Sequence, residues 1–266
     1  MTTGTERITA AFKQAQTRQT AALMPYFTLG YPDAATSLDI IEAIAPHSDL
    51  LELGVPFSDP LADGPTIQHS TQISLENGTT TASCLSMVHT LRQRGVQTPI
   101  MLMGYVNPIL AYGEASYVQD AAKAGADGFI VPDLPPEEAE ELDKLAANAG
   151  LSLIQFLAPT SNQQRIDKVT AKACGFVYLV SVAGVTGARS KVQMDLAGFV
   201  SRVRRHTAVP LAVGFGISTP KQAAKVGKIA DGVIVGSALI NAVDAADDKV
   251  EAAVQFVKSL REALLL

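Results

Sequence analysis

Two carboxylates stand out as groups able to do chemistry. Glu52 lies in Leu50-Leu51-Glu52-Leu53-Gly54, an apolar run in which an ionised side chain is expensive to bury without a partner. No Lys or Arg stands at the end of another apolar run to pair with it. Burial raises the pKa of a carboxyl, which suits a group that must give and take protons near neutrality. Asp63 follows eleven residues later, in a segment from Pro56 to Pro65 rich in Pro, Gly and Asp, and such a loop can bring a second carboxylate over the first. Taken alone, Asp59 and Asp63 are ordinary turn formers, and only the nearness of Glu52 gives Asp63 a chemical reading.

Other chemistries lack candidates. All eleven lysines fall outside the apolar runs, so none offers the buried amine of a Schiff-base enzyme. His47, His69, His89 and His206 also fall in helical stretches or at the starts of apolar runs, which leaves no histidine base and no metal site. Cys84 and Cys174 are far apart and outside any CxxC, so they read as free thiols of a reducing cytosol. A separate constellation is glycine-rich: Gly214-Phe215-Gly216, and Gly236-Ser237 just before a helical stretch at 238–242. Free backbone N–H groups and a Ser hydroxyl at two such turns suit a phosphate.

The elements that must position these groups are repeated βα units. Short apolar runs at 22–28, 50–54, 100–104, 128–131, 151–156, 176–180, 211–214 and 232–235 alternate with segments of helical period. Several are apolar on successive residues, as parallel strands covered on both faces must be. The segment 137–149 reads as a helix opened by Pro135 and Pro136 and closed by Gly150, and 8–17 as an extra helix before the first strand. Eight units close into a (β/α)8 TIM barrel with that extra N-terminal helix, one domain over 1–266. In such a barrel chemistry collects where strands end, and the last two loops commonly hold phosphate. Glu52, Asp63 and both glycine turns obey that rule. Asp49, Asp127 and Asp231, which lead into strands, belong to the opposite end and read as structural. The loop Ala183-Gly184-Val185-Thr186-Gly187-Ala188-Arg189 after the sixth strand has the glycines and length of a lid or of a plain connection. A net charge of −5 without charge blocks removes the footprint of a nucleic-acid or anionic-membrane binder. With no long apolar segment or leader-like start, the chain reads as cytoplasmic.

The run 51–68, LELGVPFSDPLADGPTIQ, closely resembles the signature of the tryptophan synthase α subunit family. Thr28-Leu29-Gly30-Tyr31-Pro32, Pro132-Asp133-Leu134-Pro135, Ala183-Gly184-Val185-Thr186-Gly187 and Gly214-Phe215-Gly216-Ile217-Ser218 match it in order, so the resemblance spans the chain. It implies a lyase that cleaves indole-3-glycerol phosphate to indole and glyceraldehyde 3-phosphate in tryptophan biosynthesis. By that resemblance Glu52 is the general acid/base, Asp63 steadies positive charge at the indole N–H, and Tyr178 helps position Glu52. Gly187, Gly216, Gly236 and Ser237 would hold the phosphate, and Gly184 and Thr186 belong to the lid. Tyr26, Met103, Tyr105, Ile130 and Phe215 would pack the indole. Tyr26 stands where the family often has Phe, and Val182 where it often has Arg. The resemblance also implies a partner, a β subunit carrying pyridoxal phosphate in an α2β2 assembly, with no cofactor in this chain. The loop after Glu52 and an Asn107-Pro108 loop would face that partner. A stand-alone lyase shares these motifs, and a regulatory subunit that binds the phosphate ligand without much turnover would share the phosphate loops.

Overall fold

The computed structural model describes residues 2–180, 195–214 and 216–265. The chain opens with α1 (Gly4–Thr17), β1 (Ala22–Thr28) and α2 (Ala34–Ile44). β2 (Leu51–Gly54) leads to α3 (Pro65–Glu76) and α4 (Thr81–Gln93). β3 (Ile100–Met103) leads to α5 (Val106–Tyr112) and α6 (Glu114–Ala124). β4 (Gly128–Ile130), α7 (Glu140–Asn148), β5 (Ser152–Leu157) and α8 (Gln163–Lys172) follow. β6 (Val177–Val180) and α9 (Leu196–Arg204) flank residues 181–194. β7 (Leu211–Gly214), α10 (Pro220–Gly227), β8 (Gly232–Val235), α11 (Ser237–Asp244) and α12 (Lys249–Leu264) complete the chain.

The eight strands form a closed parallel barrel in sequence order, β8 pairing back onto β1. Every residue of β1, β2, β3, β4, β7 and β8 is buried, which explains why their sequences are apolar almost throughout, with Glu52 the charged exception. Tyr26 lies opposite Glu52, and Glu52 opposite Met101, so register alone sets Glu52 beside Tyr26. Among the described residues no helix is long and apolar enough to cross a membrane.

Most strand bounds differ from the sequence reading by at most one residue, and three placements differ by more than two or in kind, each for a local reason. The leading helix starts at Gly4, one turn earlier, because Thr3 and Glu6 form a capping box. The helix expected over 137–149 starts at Glu140, since a turn in which the Glu138 N–H donates to Pro135 O comes first. Asn107 and Pro108 lie in the first turn of α5 rather than in a loop.

The strand lead-ins carry a repeated lock. Asp49 donates its N–H to Leu23 O at 2.9 Å and accepts the Leu23 N–H on Oδ2 at 2.8 Å. Asp127 makes the same two bonds with Ile100, at 2.8 and 2.7 Å, and Asp231 with Leu211, at 2.9 and 2.7 Å. Arginines neutralise the three: Arg18 and Arg261 at Asp49, Arg92 and Arg7 at Asp127, Arg204 at Asp231. These aspartates are structural, as their place at the bottom of the barrel implies. α1 seals that end: a Cβ on Gly4 would come within 2.4 Å of Asp127 O, and Phe12 meets Phe176 with ring centroids 5.6 Å apart.

Candidate active site

At the other end of the barrel a cavity of about 610 Å³ opens over the strand ends. Glu52 and Asp63 both line it. Glu52 comes from the second residue of β2 and is 1% exposed, and its Oε2 is buried without a hydrogen-bond partner among the described residues. Asp63 comes from the loop between β2 and α3 and is 4% exposed, with Oδ1 likewise unpartnered. Buried polar atoms normally find partners, so two orphaned carboxylate oxygens on residues that line one cavity mark a place built for a ligand.

The Asp63 loop owes its shape to Tyr105, the residue that caps α5. The Tyr105 hydroxyl donates to Asp63 Oδ2 at 2.9 Å and accepts the Ala62 N–H at 3.0 Å. Its ring packs on Phe57 at 5.5 Å, so one side chain grips the loop at three places. From the other side Gln68 donates to Asp63 O at 2.9 Å. A segment rich in Pro and Asp is thereby turned into a rigid support for one carboxylate.

Burial, and after it the nearby Asp63, pushes Glu52 up from 4.5 to about 8. Burial also lifts Asp63 from 3.8 to about 6, while the hydrogen bond from Tyr105 pulls the other way. The pair loses its protons in two steps. Between them the cavity holds a neutral acid at Glu52 and a carboxylate at Asp63, two groups of one type in opposite roles. Separation of this kind is how a site runs acid and anion chemistry together near neutrality.

Two tyrosines complete the walls, each resting its hydroxyl on a glycine. A Cβ on Gly54 would lie 2.1 Å from the Tyr26 oxygen, and a Cβ on Gly214 2.2 Å from that of Tyr178. Tyr178 also stacks on Phe156, centroids 4.7 Å apart. Burial, with Asp63 next for Tyr26 and Glu52 next for Tyr178, holds both hydroxyls well above the ordinary tyrosine range, so both stay neutral. At the far edge Gly216, Gly236 and Ser237 line the cavity. Gly216 has φ +77°, a conformation that glycine adopts without strain. α11 begins at Ser237 with no side chain among the described residues capping it; the Leu239 N–H is taken by Gly236 O, and the Ser237 and Ala238 N–H groups are left for another acceptor.

Over residues 12–264 the sequence matches the family described as tryptophan synthase alpha chain. The chain belongs to the tryptophan synthase alpha chain family. A tryptophan synthase alpha chain of Chloroflexus aggregans is 48% identical over 260 residues, 97% of each chain. That of Roseiflexus castenholzii is 49% identical over 258 residues, 96% of this chain and 99% of the other. The crystal structure of tryptophan synthase subunit alpha from Legionella pneumophila matches with a TM-score of 0.89 at 36% identity, covering 97% of this chain and 98% of that one. A Mycobacterium tuberculosis tryptophan synthase structure matches equally, 0.89 at 35% identity over 98% of each chain.

For this tryptophan synthase alpha chain family member, the cavity gathers Glu52, Asp63, Tyr178, Tyr26, Met103, Gly216, Gly236 and Ser237 from the residues singled out in the sequence. Tyr105 and Ile130 are buried but are not among the lining residues; Tyr105 acts on Asp63, and Ile130 lies in β4 within the core. Gly184, Thr186, Gly187, Val182 and Phe215 lie outside the described residues. Ile67, Leu134, Phe156, Ile217 and Ile234 also line the cavity and were missed. Phe156 and Ile234 are the last residues but one of β5 and β8, where the strand-end rule points, but an apolar residue there has no chemistry to flag it. Among the described residues no cluster of His, Cys, Asp and Glu is arranged to hold a metal.

Proposed function

We propose that this chain cleaves indole-3-glycerol phosphate to indole and glyceraldehyde 3-phosphate by a retro-aldol reaction, as the α subunit of a tryptophan synthase. The observation that carries the reading is the pair Glu52 and Asp63 in one cavity, the first protonated and the second ionised between about pH 6 and 8. Indole is a poor leaving group through C3 until that carbon is protonated. Glu52 delivers the proton, and the cation that forms is shared with the ring N–H. The Asp63 carboxylate, fixed by Tyr105, accepts from that N–H and stabilises the developing charge without having to reorganise. The Glu52 carboxylate left behind takes the proton of the glycerol hydroxyl as the carbon–carbon bond breaks, which releases the aldehyde and resets the acid. Gly216, Gly236 and Ser237, at the uncapped start of α11, hold the phosphate.

In the same reading the chain works with a β subunit in an α2β2 assembly, and the pyridoxal phosphate of the synthase belongs to that partner. Leu61 and Leu110, 83% and 53% exposed on the segments after β2 and β3, support a docking face at the barrel mouth. The test is release of glyceraldehyde 3-phosphate from indole-3-glycerol phosphate, with and without a β subunit. Slow turnover alone that rises sharply with β is the expected result. Fast turnover alone identifies a free lyase, and no turnover under either condition refutes the assignment.

A further inference from the structure

A line of hydroxyl groups runs from the cavity wall into the core. The Tyr26 hydroxyl lies 3.3 Å from Thr28 Oγ1, which lies 2.7 Å from Ser70 Oγ, which in turn lies 2.9 Å from the Ile67 carbonyl oxygen. Thr28 and Ser70 are fully buried and Tyr26 is 4% exposed, so no bulk water competes for these bonds. The direction of the line follows from its last member. A carbonyl can only accept, so Ser70 spends its single proton on Ile67. Thr28 must then donate to Ser70, and Tyr26 must donate to Thr28. With its proton committed inward, the Tyr26 oxygen turns only lone pairs outward.

The place of that oxygen gives the polarity a use. The ring of Tyr26 spans the floor between two glycines: a Cβ on Gly236 would lie 3.2 Å from Tyr26 Cβ, and one on Gly54 2.1 Å from the hydroxyl. Glu52 is the register partner of Tyr26, and Asp63 lines the same wall. No hydrogen bond joins the tyrosine to either acid, whose Oε2 and Oδ1 have no partner among the described residues. Tyr26 and the Asp63 carboxylate therefore offer acceptor oxygens on a wall that they share with the acid Glu52. Phenylalanine at this place would fill the same space and leave out the acceptor.

We infer that Tyr26 is a positioning and specificity-determining residue whose oxygen, set as an acceptor by Thr28 and Ser70, shares the N–H of a bicyclic heteroaromatic ligand with Asp63. The inference rests on the proposed substrate and adds a second acceptor for its ring nitrogen. It gives the site a preference for rings that donate at that position over rings of the same shape that do not.

The test is a pair of ligands on three proteins. The ligands are 3-(indol-3-yl)propyl phosphate and its benzofuran counterpart, in which a ring oxygen replaces N–H at nearly unchanged size. The proteins are the wild type, Tyr26→Phe, which removes the oxygen, and Thr28→Val, which keeps the oxygen but frees its proton to turn outward. Dissociation constants by calorimetry, with unfolding temperatures to establish that each variant is folded, give the indole-over-benzofuran preference of each protein. That preference is expected to fall by roughly 3- to 10-fold in both variants, the size of one neutral hydrogen bond. A preference unchanged in either variant, with both ligands still bound, overturns the inference while leaving the proposed substrate intact. Failure of the wild type to bind either ligand removes the proposed substrate and the inference with it.

Discussion

Replacing Glu52 by Gln should stabilise the protein in alkali while abolishing most of its turnover. In the folded chain the Glu52 carboxyl is raised from 4.5 to about 8, by burial and then by Asp63. Between those values the native state keeps a proton that the unfolded chain has released, so stability falls as pH rises through the window. At about 1.4 kcal/mol for each pH unit, the loss accumulates to about 5 kcal/mol by pH 8. Gln carries no such penalty. Its amide leaves a buried group no better satisfied than Glu52 Oε2, at about 1–3 kcal/mol, but that cost does not vary with pH. The quantity to measure is therefore the difference in unfolding temperature, variant minus wild type, at pH 5, 7 and 9. For a chain of this size about 2–4 °C corresponds to each kcal/mol, so the difference should climb by on the order of 10 °C from pH 5 to pH 9. At neutral pH kcat should fall by about 10²- to 10⁴-fold, the range for loss of a proton-transferring group. A temperature difference that stays flat with pH, or climbs toward acid, would refute the claim that this carboxyl is protonated at rest.

The pH dependence of kcat should be bell-shaped, rising near 6 as Asp63 ionises and falling near 8 as Glu52 does. Tyr105→Phe removes the hydrogen bond that holds Asp63 down, so the acid limb should move to higher pH while the alkaline limb stays; movement of both would point to a general distortion. Gly54→Ala places a methyl 2.1 Å from the Tyr26 oxygen and should displace the ring, with kcat/KM reduced at least tenfold and stability lowered by about 1–3 kcal/mol; unchanged kinetics would show that the ring has no fixed place. Asp127→Ala leaves the Arg92 charge without its carboxylate, held only by the carbonyls of Gly125, Val96 and Thr98, and orphans the Ile100 N–H, so calorimetry should record a loss of about 3–5 kcal/mol while kcat of the folded enzyme is unaltered.

What could be read from the sequence was whatever is local to one strand or one turn. A carboxylate in the apolar run 50–54 has few explanations, and the barrel rule alone puts Asp49, Asp127 and Asp231 at the far end. The capping box of Thr3 and Glu6 was equally legible, being three residues apart, yet the helix was started too late. Contacts between distant segments were not legible. The bond from Tyr105 to Asp63 spans 42 positions and depends on a loop conformation that no periodicity encodes. The hydroxyls of Thr28 and Ser70 meet across another 42, where each alone is an unremarkable buried polar residue. Phe156 and Ile234 were invisible for the opposite reason, since an apolar side chain at a strand end looks the same whether it packs a core or a ligand.

The aspartate locks at the strand lead-ins bear on how this barrel can be cut and rejoined. Each lock ties a strand to the one before it: β1 to β2, β3 to β4 and β7 to β8. A circular permutant opened between β2 and β3, or between β4 and β5, keeps both halves of all three locks close together in sequence. One opened between β1 and β2 or between β3 and β4 moves the two halves of a lock to opposite ends of the new chain, and one of its strands must find its partner only after nearly everything else has folded. Permutants of the first kind should refold readily and those of the second slowly, although the native contacts of the two sets are almost the same.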